Sequence, residues 1–505
     1  MWRGTRFPVR SFLFRRSFAH RAEKRITVGQ RKPSPGCKRS GEHFAKRVVV
    51  VYPLHARFVS IMLDRRLVVP AKQLTSVDFE LIPANMETRS TDVLTIFLFD
   101  SGSSTPLDKK ELLEFLGARA SRIPQLRWTV TTVPGGFGFP YWIDTEPFDI
   151  TKHVEDNVEI SSWKGVFEYF ADIAARIVDP YECLWRLHVV RGVRDAPGVQ
   201  GEATVVILKG SHALGDGHVY NAIVHDLFSS KHLPDFIPEL TAPNPWWSSV
   251  KGLLGTPRRY VRAFRALPET RKYDAPDSGG GAVTFTGKRS ASAIMLDLVA
   301  IREAKKKWPG VTVTAIAQTI ISLSLEEYFG DKSPRSMQVM SGAPAGAEVR
   351  GQNHMGCYHV DLAMDKQDIA ERLAVITTNN NHGKAEYPDA YRAVRALQYE
   401  LPAIAVKPEL SADPKLGTVA SSVNRGPAVM TLGTSKIVST ASFPYVSPRS
   451  PFNHGIYSVG DVLAISVLSG TPDSGDIDIY AAVLEKNAAR VLACLEERSA
   501  KATAR

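Results

Sequence analysis

Ser211-His212-Ala213-Leu214-Gly215-Asp216-Gly217 is the stretch of this 505-residue chain whose residue types and spacing could do chemistry. A neutral histidine on a short loop can take a proton from an alcohol or thiol and later return it, because its ring titrates near neutral pH. Gly215 and Gly217 allow a tight backbone turn and close approach of a substrate. Asp216 either orients the ring or pairs with an arginine to hold the shape of the loop. Taken alone, HxxxDG is also ordinary strand-to-helix turn chemistry, so the surrounding residues must decide.

Competing chemistries find less support. Neither a GxxxxGK[ST] phosphate loop nor a GxGxxG after a strand occurs, which removes the usual sequence basis for nucleotide hydrolysis and dinucleotide redox chemistry. Gly135-Gly136-Phe137-Gly138 reads as a turn. Cys37, Cys183, Cys357 and Cys494 lie far apart with no CxxC pair and no Cys/His cluster at zinc spacing. No disulfide framework or metal site is expected, and a reducing compartment fits. His188, His218, His225, His354 and His359 lack carboxylates at ligand spacing and read as core or surface residues.

The elements that must position His212 follow from the apolar pattern. Ala203-Thr204-Val205-Val206-Ile207-Leu208 is rich in β-branched residues and predicts a strand that runs straight into the loop. Val219, Ile223 and Leu227 recur every four residues after it, which predicts an amphipathic helix. Further strands are expected at 93–99, 126–132, 184–191, 336–340, 356–362 and 461–468. Thr105-Pro106 reads as the start of a helix with Leu112, Phe115 and Leu116 inward. Other helices are expected at 312–329, stopped by Gly330, and at 480–496. No repeat of fixed period occurs, which argues against a solenoid or propeller.

A hydrophobic content of 44% over this length is enough for two or three domains. The net charge of +11 is concentrated partly in residues 1–22, where Arg3, Arg6, Arg10, Arg15, Arg16 and Arg21 stand among aromatics without an acid. That composition is similar to a mitochondrial transit peptide, or to a disordered basic tail. No window reaches the roughly 18 consecutive apolar residues of a spanning helix. Between Pro245 and Leu267, Trp246, Trp247, Val250, Leu253 and Leu254, then Tyr260, Val261, Phe264 and Leu267, recur at helical spacing among Lys251, Arg258, Arg259, Arg262 and Arg265. This suits an anionic membrane interface, and equally a crossover helix packed on the body of the protein. Nucleic acid is not expected, because the basic residues lack interleaved stacking aromatics on a recognisable module.

The order of segments resembles the wax ester synthase/diacylglycerol acyltransferase family of the chloramphenicol acetyltransferase-like superfamily. Ser211 to Gly217 matches the family's HHxxxDG, and Pro147-Phe148-Asp149-Ile150-Thr151-Lys152-His153-Val154 looks like its upstream Phe-Asp and His-Val segment. Cys183-Leu184-Trp185-Arg186-Leu187-His188 looks like its Pro-Leu-Trp strand, and Asn353-His354-Met355-Gly356 like an Asn-x-x-Gly element. Ser422 to Pro427 resembles Ser-Asn-Val-Pro-Gly-Pro, and Ile465 to Gly470 a late core strand.

The resemblance implies an α/β fold of two chloramphenicol acetyltransferase-like domains, each a mixed sheet with helices, joined by a crossover and enclosing an active-site channel. The expected plan is a basic extension over 1–45, domains at 46–237 and 286–497, a crossover at 238–285 and a polar tail at 498–505. It further implies that His212 deprotonates the hydroxyl of a fatty alcohol or diacylglycerol, which attacks acyl-CoA as co-substrate, with no permanently bound cofactor. Asp216 would be chiefly structural, with Ser211, Gly215 and Gly217 shaping the loop and Trp185, Asn353, Gly356 and Thr314 near the substrate channel. The setting implied is the endoplasmic reticulum, a lipid droplet or another membrane surface, approached peripherally.

Three departures bear on activity. Ser211 stands for the first histidine of HHxxxDG, Cys183 for proline, and Thr314-Ala315 for an Asn-Asp pair. The last allows reduced activity, another acceptor, or a non-catalytic lipid-binding or scaffold role. BAHD-type and condensation-type acyltransferases share HxxxDG, but the DFGWG motif of the former is absent and the carrier domains usual beside the latter have no room.

Overall fold

The apolar run beginning at Val93 becomes β1 (Val93–Asp100), with Leu94, Ile96, Phe97, Leu98 and Phe99 all 1% exposed or less. A strand covered on both faces needs no polar alternation. The computed structural model describes residues 68–82, 90–144, 147–229, 232–234, 239–273, 277–406 and 414–503. The expected extension over 1–45, and the arginine-rich stretch within it, lie outside the described residues.

The elements used below are, in chain order, α1 (Ser76–Glu80), β1, α2 (Lys109–Ala120), β2 (Val154–Val158), α3 (Trp163–Ala175), β3 (Trp185–Val193), β4 (Ala203–Gly210), α4 (Gly217–Phe228) and α5 (Pro245–Thr270). They continue with β5 (Ser290–Asp297), α6 (Val313–Phe329), β6 (Ser336–Ser341), β7 (Gly356–Asp361), α7 (Ile369–Gln398), β8 (Thr418–Asn424), β9 (Thr431–Leu432), β10 (Ser435–Phe443), β11 (Phe452–Val459), β12 (Val462–Ser469) and α8 (Ile477–Thr503).

One six-stranded sheet has the order β9-β10-β1-β4-β3-β2 and the other β7-β6-β8-β11-β12-β5. Both are mixed: β2 and β3 run parallel in the first, as do β6, β8 and β11 in the second, and the remaining pairs are antiparallel. The segment 286–497 is not self-contained. β10 leaves it to pair with β1, Lys436 opposite Asp100 through Phe443 opposite Leu94, because β4 covers only one edge of that buried strand. A shared core follows, in which Ile96, Leu98, Val205 and Ile207 of the first sheet pack with Phe170 of α3 and with Ala291, Ala464 and Leu468 of the second.

Several expected boundaries move for local reasons. α2 begins after Asp108, not after Thr105-Pro106: Asp108 accepts from the Glu111 N–H at 2.8 Å and Glu111 accepts from the Asp108 N–H at 2.9 Å, a reciprocal cap. Its inward residues are Leu112, Leu116 and Ala120, with Phe115 half-buried. The expected strand at 126–132 is short, Trp128–Val130. The crossover contains a 26-residue helix, α5, where helical spacing was read, capped by Asn244 and entered through Pro245. The expected polar tail is helical to Thr503.

Burial sets one pH dependence. His454 on β11 is fully enclosed, with Thr418 Oγ1 2.9 Å from Nδ1 and the Tyr480 hydroxyl 2.7 Å from Nε2, and desolvation pushes its pKa from 6.5 down to about 3. The unfolded chain then takes up a proton that the folded chain refuses. The stabilising effect is complete above about pH 6.5 and falls by about 1.4 kcal/mol per unit as the pH drops toward 3. Thermal unfolding between about pH 7 and about pH 4 should show this loss. A His454→Gln variant should show a shallower slope; an identical slope would mean that another group carries it.

Candidate active site

β4 is buried at every residue and ends in a single 3-10 turn, His212–Leu214, before α4 begins. The turn is held from several sides. The Ser211 N–H donates to the Leu184 carbonyl at 2.7 Å, Ser211 Oγ accepts from the Ala213 N–H at 3.3 Å, and the Tyr220 hydroxyl donates to the Ser211 carbonyl at 2.9 Å. Gly215 is required by space, since a Cβ there would stand 2.4 Å from the Val219 side chain. The nearest neighbour for a Cβ on Gly217 is Val423 Cγ2 at 3.8 Å, so this side of the loop is open toward β8.

Asp216 does not touch the ring. One carboxylate oxygen caps α4, accepting from the N–H groups of His218 at 2.9 Å and Val219 at 3.2 Å, and the other accepts from the His354 N–H at 2.7 Å. No ion pair to Asp216 occurs among the described residues, so the arginine partner considered from spacing is replaced by backbone donors. The residue binds its own loop to the loop at 351–354.

Asn353 sits on that second loop and is fully buried. Its Nδ2 faces two acceptors, Asp78 Oδ1 at 3.0 Å and the His212 carbonyl at 2.9 Å, and only an amide NH2 satisfies both. Its Oδ1 therefore faces His212 Nδ1 at 2.9 Å, and that ring nitrogen carries the proton. The lone pair is left on Nε2, which has no protein partner among the described residues. Burial lowers the His212 pKa, opposed by hydrogen bonds to its own backbone and to Asn353 and by the charges of Asp216 and Asp78. The ring is neutral at neutral pH, and the Tyr445 ring stands perpendicular to it with centroids 6.0 Å apart.

Both amide atoms of Asn353 are thus engaged, and the residue ties the His212 turn to Asp78. The three other expected channel residues are engaged as well. Trp185 is fully buried, donates its indole N–H to the Leu126 carbonyl at 2.8 Å and stacks on His153 with centroids 4.2 Å apart. Gly356 is a close-packing point, because a Cβ there would meet the Tyr387 hydroxyl at 2.7 Å. Thr314 places its hydroxyl 3.0 Å from that of Ser422 on β8, while Ala315 is core, so the pair offers one committed hydroxyl.

His188 does have a carboxylate beside it, Glu155 Oε2 at 3.1 Å, contrary to the spacing argument; β2 and β3 pair in space. No group of three His, Cys, Asp or Glu that could hold a metal occurs among the described residues. Asp78 was invisible to spacing, since only the fold brings it to Asn353; its one local signal was the Thr75-x-x-Asp78 helix cap.

Two mixed sheets sharing an exchanged strand, with a histidine turn bound to a loop of the second sheet, define the chloramphenicol acetyltransferase-like class of CoA-dependent acyltransferase and condensation-domain folds. The wax ester synthase/diacylglycerol acyltransferase from Marinobacter aquaeolei VT8 superposes over 84% of this chain and 100% of its own, with a TM-score of 0.57 at 17% identity. The starter condensation domain of rhizomide synthetase RzmA gives 0.53 at 11% identity over 88% and 96% of the two chains. Residues 74–274 match the family described as the wax ester synthase/diacylglycerol acyltransferase catalytic domain. A curated relative from Mycobacterium tuberculosis, named "Probable diacylglycerol O-acyltransferase tgs3", is 34% identical over 116 residues. That stretch is 22% of this chain and 43% of the relative, so the chain spans less than half of that protein's length.

Proposed function

We propose that the protein is an acyl-CoA-dependent O-acyltransferase that esterifies a fatty alcohol or diacylglycerol, giving wax ester or triacylglycerol. The observation that carries the reading is the tautomer of His212, fixed by Asn353 so that a free base points away from the Asn353 amide. Nε2 takes the proton of the acceptor hydroxyl as its oxygen bonds to the thioester carbonyl carbon. The carbon–sulfur bond breaks, and the proton passes from the imidazolium to the coenzyme A sulfur. Acyl-CoA is the only co-substrate this sequence of steps requires, and no acyl-enzyme forms.

The test supplies labelled long-chain acyl-CoA with a fatty alcohol or with diacylglycerol. Ester and free thiol should appear in equal amounts with at least one acceptor. Intact acyl-CoA with both would overturn the reading in favour of a non-catalytic lipid-binding role.

Substrates of this kind partition into lipid, and α5 is built to meet a lipid surface. Its inward face is made of small residues: Ser248, Thr256 and Ala263 are buried, and a Cβ on Gly252 would lie 2.5 Å from the Phe137 carbonyl. Trp246, Trp247, Leu253, Val261, Leu254 and Phe264 point outward, the last two 73% and 77% exposed. This reverses the usual arrangement, in which the apolar stripe faces the core. Arg259 is committed inward, donating to the carbonyls of Tyr399 and Leu401, and Arg262 pairs with Glu400 at 3.4 Å. Lys251, Arg258 and Arg265 are exposed beside the apolar residues, a combination that suits an anionic bilayer.

The setting proposed is peripheral, on the endoplasmic reticulum or another membrane or lipid-droplet surface. Among the described residues no helix is long and apolar enough to cross a membrane. Flotation with anionic vesicles should fall by about tenfold or more in a Trp247→Ala, Leu254→Ala, Phe264→Ala triple variant. Neutralising Arg258 and Arg265 should weaken flotation chiefly at low salt. Unchanged flotation in both variants would remove α5 from the proposal.

A further inference from the structure

We infer that Asp78 is a positioning residue for the base, acting on His212 through the Asn353 amide; this rests on the assignment of His212 as the base. The geometry is a chain of directed hydrogen bonds. Asp78 Oδ1 accepts from the backbone N–H groups of Gln352 and Asn353 and from Asn353 Nδ2, each at 3.0 Å, and Asn353 Oδ1 accepts from His212 Nδ1. Asp78 Oδ2 receives the Thr75 hydroxyl at 2.9 Å and the Thr75 N–H at 3.4 Å. Four of these five contacts to Asp78 are N–H donors, which favour the ionised carboxylate and oppose the burial that pushes its pKa up from the usual value.

The consequence appears when Nε2 gains a proton. The imidazolium becomes a stronger donor to Asn353 Oδ1, the amide is polarised, and its NH2 leans more strongly on Asp78. The carboxylate thus stabilises the charged ring at one remove. A neutral amide in between keeps a full carboxylate off the ring, which remains neutral and ready to accept a proton. Asp216 is the other charge near His212, but it is spent on backbone N–H groups and has no bonded path to the ring.

The informative variant is Asp78→Asn, which keeps an oxygen for the three N–H donors of the 352–353 loop, removes the charge and turns an NH2 toward Thr75 in place of the second oxygen. We expect kcat to fall about tenfold with KM little changed, and the acid limb of kcat/KM to move to lower pH by about half a unit or more, because the imidazolium loses its stabilising charge. An equally destabilised core variant, Ile320→Val, should leave that limb in place. Unchanged kcat and an unmoved acid limb in Asp78→Asn would overturn the inference. An NMR titration of the His212 ring, assigned with His212→Ala, reads the same effect without turnover. If wild type makes no ester, a lower His212 pKa in Asp78→Asn still upholds the link while the proposed reaction fails, and an equal pKa overturns the link.

Discussion

His212→Ala should reduce ester formation by about a thousandfold or more while leaving the protein folded. General-base contributions of roughly a hundredfold to ten-thousandfold are usual when the proton acceptor is removed. The two polar side chains nearest the turn do not replace it: Asp216 accepts from three backbone donors, and Asn353 has no basic lone pair to offer. The ring is buried but small, so its removal should lower the unfolding midpoint by only a few degrees. Single-turnover measurements with saturating acyl-CoA would separate the chemical step from binding, since the variant should still bind the thioester. Undiminished ester formation would show that His212 is not the base.

The second large effect is expected from a glycine that carries no chemistry. Gly351 has φ of +79°, a left-handed conformation, and a Cβ on it would lie 2.0 Å from Asp78 Oδ2 and 2.7 Å from Thr75 Oγ1. Gly351→Ala cannot be accommodated by rotating a flexible side chain end, because both neighbours are fixed in the capping box of α1. Either Asp78 is displaced or the 351–354 loop withdraws, and with the loop go Asn353 and the anchor of Asp216. A loss of activity of about a hundredfold and a clear drop in the unfolding midpoint should follow. Gly346→Ala is the matched comparison. It has φ of +74° in the same inter-strand segment, but nothing lies within 4 Å of its Cβ, so only backbone strain of about 1 kcal/mol is expected and activity should persist. Equal damage from both substitutions would show that strain alone, and not displacement of Asp78, explains the loss.

What could be read from the chain in advance was what depends on near neighbours. The β-branched run from Ala203 to Leu208 had to be a strand and the Val219, Ile223, Leu227 series a helix, and the histidine turn lies between them. The helix expected at 312–329 with Gly330 as its stop was equally plain, and it runs over Val313–Phe329. At α2 the reading of Thr105-Pro106 as the start missed the reciprocal cap of Asp108 with Glu111, which satisfies two backbone donors. Separation in sequence hid the rest. Asp78 and Asn353 are 275 positions apart, and no periodicity links them. The apolar stripe of α5 was visible, but its spacing is the same whether the stripe faces the core or the solvent; the small residues Ser248, Gly252, Thr256 and Ala263 decide that, by allowing the other side to pack closely. Trp185 was legible as important and misleading as to why, since a large aromatic in a motif serves equally to line a channel or to support a strand from behind.

The exchanged strand has a consequence for how the chain is made. While the polypeptide emerges from the ribosome, β1 through β4 are complete by residue 210, yet β1 pairs on one side with β10, which ends only at Phe443. For more than two hundred residues of synthesis the nascent sheet therefore has an apolar strand with an unpaired edge, a template for wrong partners. Closure demands a contact between residues separated by most of the protein, which makes it slow on topological grounds. Cellular holding factors that shield such edges, rather than intrinsic stability, would then set the yield of active protein during expression.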